Sequence, residues 1–159
     1  MLNLKLKMDL IPESLWGKPL SNFYKGSPKW QAIKAYIAFK EGTKCWICGY
    51  TGRLEAHEFF SYDLKTQTQK LEAIHHICYL CHAVIHIGRT YSLFGLFPDK
   101  VAEVHKHFCE VNKVPYLALE FYLEEVKEVF IERNKVVEWK QDFGSYSPEF
   151  IDKVWELAK

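Results

Sequence analysis

Apolar residues recur at helical spacing along most of this chain, and two strand-like runs interrupt the pattern once. Trp30, Ile33 and Ile37 share one face of a segment that begins at Ser27-Pro28, an N-cap serine followed by a proline at the first helical position, and closes at Gly42. Lys29, Lys34 and Lys40 take its other face. The runs Arg53–Tyr62 and about Lys70–Ile77 read as strands, and the polar stretch Asp63–Gln69 joins them into a hairpin with a longish loop. A short helix is expected from Cys81 to near Gly88. Val101, Val104, Phe108 and Val111 then stripe a helix over Pro98–Lys113. Leu119, Tyr122, Val126, Val129 and Val136 stripe a longer one over Pro115–Trp139, and Ser147-Pro148 starts a last helix with Ile151, Val154, Trp155 and Ala158 inward. The aromatics on these stripes, Phe121, Phe130 and Trp139 among them, are expected in the core. Pro12 and Pro19 break the first twenty residues, which read as an irregular arm. The pattern predicts an α+β fold divided into an N-terminal arm (1–26), a central unit (27–92) and a helical extension packed on it (93–159).

Composition narrows the class. With 159 residues, 48% hydrophobic and 26% charged, the chain can bury a real core and is neither disordered nor collagen-like. No run of roughly 18 apolar residues marks a membrane span. The start, MLNLKLKMDL, lacks a continuous apolar stretch and a small-residue cleavage site, so a cytoplasmic, soluble protein with no membrane partner is expected. Five cysteines, an odd number, point to reduced thiols or metal ligands rather than a disulfide framework. The net charge of +1 argues against coating nucleic acid by bulk electrostatics, but the charge is unevenly spread. Residues 1–54 carry +6, residues 55–100 carry −1 and residues 101–159 carry −4. The basic N-terminal part suits phosphate, with the acidic end facing away.

The chemistry concentrates in the middle of the chain. Cys45-Trp46-Ile47-Cys48-Gly49 and Cys78-Tyr79-Leu80-Cys81 are two CxxC knuckles separated by 29 residues. Two residues between thiols let both sulfurs of a tight turn face one ion, and two such turns give the four-thiolate tetrahedron of a structural zinc site. Cys109, on the apolar side of a later helix, reads as a buried free thiol. His82 follows the last knuckle cysteine directly and His86 lies four residues on, so a helix places both imidazoles on one face. His57 on the first strand is placed to supply a third nitrogen. Three histidines with open positions suit a second, catalytic divalent ion. His75 and His76, just before Cys78, are spare candidates for ligand or base.

In order, CWICG, LEAHEFFSYD and ICYLCHAVIH resemble the HNH endonuclease family, whose core is the ββα-metal (His-Me) finger, and in particular its zinc-containing branch with two CxxC knuckles. The resemblance covers Cys45 to about Gly88, and the basic helix ahead of the first knuckle also recurs in that family. It implies DNA phosphodiester hydrolysis with a single divalent metal (Mg²⁺ or another ion) and a structural zinc on the four knuckle cysteines holding the fold. His57 matches the strand ligand of the catalytic metal, and His82 and His86 match the helix histidines that complete the set. Glu58 stands where the family usually has a histidine acting as general base, and Ala73 stands near where it usually has an asparagine orienting that base. Three readings stay open: Glu58 is the base, with a pKa raised by burial beside Phe59 and Phe60; Glu58 is a ligand, with His75 or His76 as base; or the site is inactive. Lys34, Lys40, Lys44, Arg53 and Arg89 are the candidate phosphate contacts. The alternative function is a catalytically degenerate zinc module that binds nucleic acid, or a protein partner through the helical extension.

Overall fold

The two strands do form a hairpin, and it is longer than its apolar runs suggest. In the computed structural model, which describes residues 2–159, β1 (Leu54–Asp63) pairs antiparallel with β2 (Thr68–Cys78), His57 opposite His75 and Leu54 opposite Cys78. A register shift at Phe59/Phe60 accommodates the odd residue. A short strand, β3 (Lys140–Asp142), adds to β2 in parallel and completes a three-stranded sheet of order β1-β2-β3. With helices filling most of the remaining chain, the fold is α+β. Met1, the first residue of the expected arm, lies outside the described residues.

The hairpin separates two hydrophobic cores, because alternate side chains leave opposite faces of a strand. On one face Ala56, Phe60, Leu71 and Ile74 pack against α1 (Leu20–Phe23), α2 (Pro28–Glu41) and α7 (Pro148–Ala158). Both Ser-Pro starts behave as expected: Ser27 Oγ accepts from Lys29 N–H, and Ser147 Oγ accepts from Phe150 N–H. Ile33, Ile37, Ile151 and Val154 are buried at the α2–α7 contact, whereas Ala158 is exposed. On the other face Phe59 and Ile77 pack towards α3 (Tyr79–Ile85), α4 (Ile87–Phe94), α5 (Pro98–Asn112) and α6 (Tyr116–Asn134). Phe108 and Leu119 are fully buried there.

Four features depart from the sequence pattern. The helix after Cys81 does not end at Gly88: it breaks at His86 (φ −94°, ψ 51°) and restarts as α4. Helix α6 stops at Asn134, so Val136 and Trp139 are not on its stripe; they fold back and bury beside Leu15 in a third, small cluster. Phe121 is 66% exposed and Val129 is 47% exposed, because the face of α6 that meets the core is centred on Leu119 and Val126. Residues 2–10 are irregular as expected, yet they are threaded through the α3–α5–α6 core. Leu4, Leu6 and Met8 are buried there while Lys5 and Lys7 stay exposed. Asn112 brackets the backbone of Leu6, accepting from its N–H and donating to its carbonyl, both at 2.9 Å. Asp9 N–H bonds Ile85 O at 2.9 Å, and Arg133 pairs with the Asp9 carboxylate at 2.5 Å. Among the described residues no helix is long and apolar enough to cross a membrane.

Candidate metal centre

The first knuckle is a tight turn leading out of α2. Gly49 adopts φ +79°, a conformation that side chains disfavour, which lets its N–H reach back to Cys45 O at 2.9 Å. Cys45 N–H bonds Tyr50 O, and Trp46 N–H bonds His76 O, so the turn is tied to β2. The second knuckle is the junction of β2 and α3. Cys78 caps the helix, its Sγ accepting from Cys81 N–H at 3.5 Å. The four sulfurs of Cys45, Cys48, Cys78 and Cys81 lie within 4.8 Å of one another. Cys48 and Cys78 approach to 3.6 Å, too far for a disulfide and close to the edge of about 3.8 Å implied by tetrahedral Zn–S bonds. The thiols cannot all ionise unaided. Cys78 is pulled down to about 3, first by a hydrogen bond from Cys81 and against burial, while Cys81 is pushed up by Cys78 and by burial. Burial also pushes Cys48 up to about 11. A cluster of thiols that must share negative charge in a buried place is suited to a dication such as zinc. His107 of α5 meets Cys81 Sγ at 3.2 Å, linking the helical extension to the cluster.

The same junction delivers the histidines. His82 lies in the first turns of α3, and His86 caps its end with its N–H still on His82 O at 3.0 Å, so the four-residue spacing keeps both rings on one side despite the break. His57 reaches them from β1. Ring centroids are 5.2 Å apart for His57–His82, 4.9 Å for His57–His86 and 4.8 Å for His82–His86, and one nitrogen of each lies within 4.8 Å of the others. Burial, reinforced by the neighbouring imidazoles, pushes His57 down to about 2 and His86 down to about 4. Both rings are therefore neutral near pH 7, with lone pairs free for a metal. Arg89, exposed on α4, lies close enough to add to the shift of His86.

Glu58 is not part of this constellation. It follows His57 on β1 and so leaves the opposite face of the strand, where Leu20 N–H and Ser21 N–H donate to its two carboxylate oxygens at 2.6 and 3.1 Å. Burial pushes its pKa up, and these donors pull against it. The carboxylate is engaged by the first N–H groups of α1, neither ligating beside His57 nor facing the imidazoles. His75 and His76 are not drawn into the trio either. His75 stacks on Trp46 at 3.9 Å, and its Nδ1 meets Glu41 at 2.6 Å. Cys109 is a half-buried free thiol on α5 whose pKa is raised by burial.

No family model, curated protein or solved structure matches this chain. Two donor groups thus stand on their own geometry: four thiols suited to an ion such as zinc, and three imidazoles whose nitrogens converge. Sequence reading missed two of the groups around them. Glu55, whose Oε2 meets His82 Nδ1 at 2.5 Å, had a signal, since it is two residues from His57 and shares its strand face. His107 had none, because only the packing of α5 brings it to Cys81.

Proposed function

We propose that the protein is a single-metal endonuclease of the HNH type acting on DNA phosphodiester bonds, with a structural zinc held by Cys45, Cys48, Cys78 and Cys81. One observation carries the reading: His57 from the hairpin and His82 and His86 from the following helix converge directly beside the cysteine cluster that joins those two elements. In this reading His57, His82 and His86 would hold one divalent ion, Mg²⁺ or a transition metal, which would supply Lewis-acid stabilisation of charge on the phosphate. The chain's own contribution is placement. The rings of His57 and His86, neutral near pH 7, present lone pairs without a proton to displace, and Phe59, edge-on to His57 at 4.7 Å, walls the site on one side. Arg89 beside His86 offers a cation to the same phosphate, and Lys40, Lys44 and Arg53 are exposed around the knuckle for flanking ones.

A second reading is favoured by the fate of Glu58. The residue at the family's base position is held by backbone N–H groups across the sheet, so it cannot take a proton from water at the trio. A catalytically degenerate zinc module that binds nucleic acid or protein fits that arrangement, and Leu96, Leu117 and Phe121 are exposed apolar residues on the helical extension. Supercoiled plasmid incubated with the purified protein and Mg²⁺, Mn²⁺ or Ni²⁺ separates the two. The nuclease reading expects nicked or linear product with at least one ion, and loss of on the order of 100-fold or more in His57→Ala and His82→Ala. Absence of cleavage with every ion, or cleavage indifferent to both substitutions, leaves the binding module.

A further inference from the structure

The trio is unevenly supported. His57 is buried and walled by Phe59, and His86 is held at the break between α3 and α4. The His82 side chain is left 22% exposed, and a free imidazole there could turn either nitrogen inward. Its Nδ1 instead meets Glu55 Oε2 at 2.5 Å. A carboxylate only accepts, so Nδ1 is the donor of this contact, and in the neutral ring that leaves Nε2 as the nitrogen with the lone pair. We propose that Glu55 is a positioning residue for metal binding: it fixes the tautomer and rotation of His82 so that Nε2 is the nitrogen offered to the ion. The proposal rests on reading the trio as a metal site.

Glu55 is suited to this and to little else. Its side chain is 41% exposed, so the pair adds little to stability, and among the described residues its side chain bonds only to His82. Position matters as well as charge. Glu55 and His57 are two residues apart on β1 and leave the same face, so one strand presents both a ligand and the group that orients the next ligand. The Glu41–His75 pair is a built-in contrast. It has the same carboxylate-to-Nδ1 contact at 2.6 Å, but its imidazole is stacked on Trp46 and lies outside the trio.

Titration of the zinc-loaded protein with Co²⁺ reads this directly, because ligand-field absorption from a nitrogen site differs from the thiolate charge-transfer bands that report any exchange at the cysteines. Glu55→Ala is expected to weaken Co²⁺ binding by about 10–100-fold, the usual cost of removing a ligand's orienting partner, with its thermal unfolding little changed. Glu55→Gln, which keeps an accepting oxygen, is expected to recover part of that loss, and Glu41→Ala to bind Co²⁺ as the unmodified protein does. Equal affinity in Glu55→Ala overturns the role, as does a Gln variant no better than Ala, which would leave only a distant charge effect. If the unmodified protein shows no Co²⁺ binding that His82→Ala abolishes, the metal-site reading itself fails and takes this one with it. Intact Co²⁺ binding without plasmid cleavage rejects the nuclease alone.

Discussion

Glu58 shows what one position along a strand decides. A carboxylate next to a histidine of the trio looks like a base or a further ligand, but adjacent strand residues face opposite ways, and here the opposite face carries the start of α1. Glu58→Ala would strand the buried N–H of Leu20, with a cost of about 1–3 kcal/mol for an unsatisfied buried donor. Urea unfolding should show that loss, while Co²⁺ affinity at the imidazoles stays within about twofold, since the carboxylate touches none of them. A Glu58→Ala protein of undiminished stability that had lost plasmid cleavage would return Glu58 to a catalytic role. The residue types themselves were legible: two CxxC turns and a His-x-x-x-His spacing are local geometry, and local geometry is what a sequence encodes most directly. The side chains that brace them were less so, because the contact of His107 with Cys81 joins segments far apart in the chain.

At the level of elements, starts were easier to read than ends. Ser-Pro pairs cap α2 and α7 through their own side chains, a short-range cause with a short-range signature. Helix α6 ends at Asn134 although Val136 and Trp139 continue an apolar pattern, since a tertiary pocket lined by Leu15 and Tyr62 captures them instead. The N-terminal segment had a signal that prolines further on obscured: Leu4, Lys5, Leu6, Lys7 and Met8 alternate as a half-buried extended chain does, and their burial alternates with them. That threading makes the segment part of the core. Leu6→Ala should cost about 2–5 kcal/mol, whereas Leu2→Ala, at a position 44% exposed, should change stability by less than about 0.5 kcal/mol. Denaturant midpoints of the two variants decide it; similar values for both would mean that the segment contributes no packing.

Across the whole molecule, the cysteine cluster is where the separate parts meet. It joins the end of β2 to α3, is tied to α2 through the first knuckle, and touches α5 through His107. Helix α3 has seven residues, too few to persist in water without packing or a capped start, and its start is Cys78. Structural zinc sites contribute folding free energy outright, so with a zinc bound to these thiols its removal should release the knuckles and α3 before the α1–α2–α7 core, whose buried residues include none of the four cysteines. Releasing α3 moves His82 and His86 away from His57, although a chelator acts on none of their nitrogens. Stripping zinc with a strong chelator that is then dialysed away, or the Cys78→Ser variant, is therefore expected to abolish Co²⁺ binding at the imidazoles and to split thermal unfolding into two transitions. Helical circular dichroism from the α2–α7 pair should survive the first of them. A chelated protein that unfolds in one unchanged transition and still binds Co²⁺ through His57 and His82 would show that hydrophobic packing alone builds the trio, leaving the thiol cluster without its structural role.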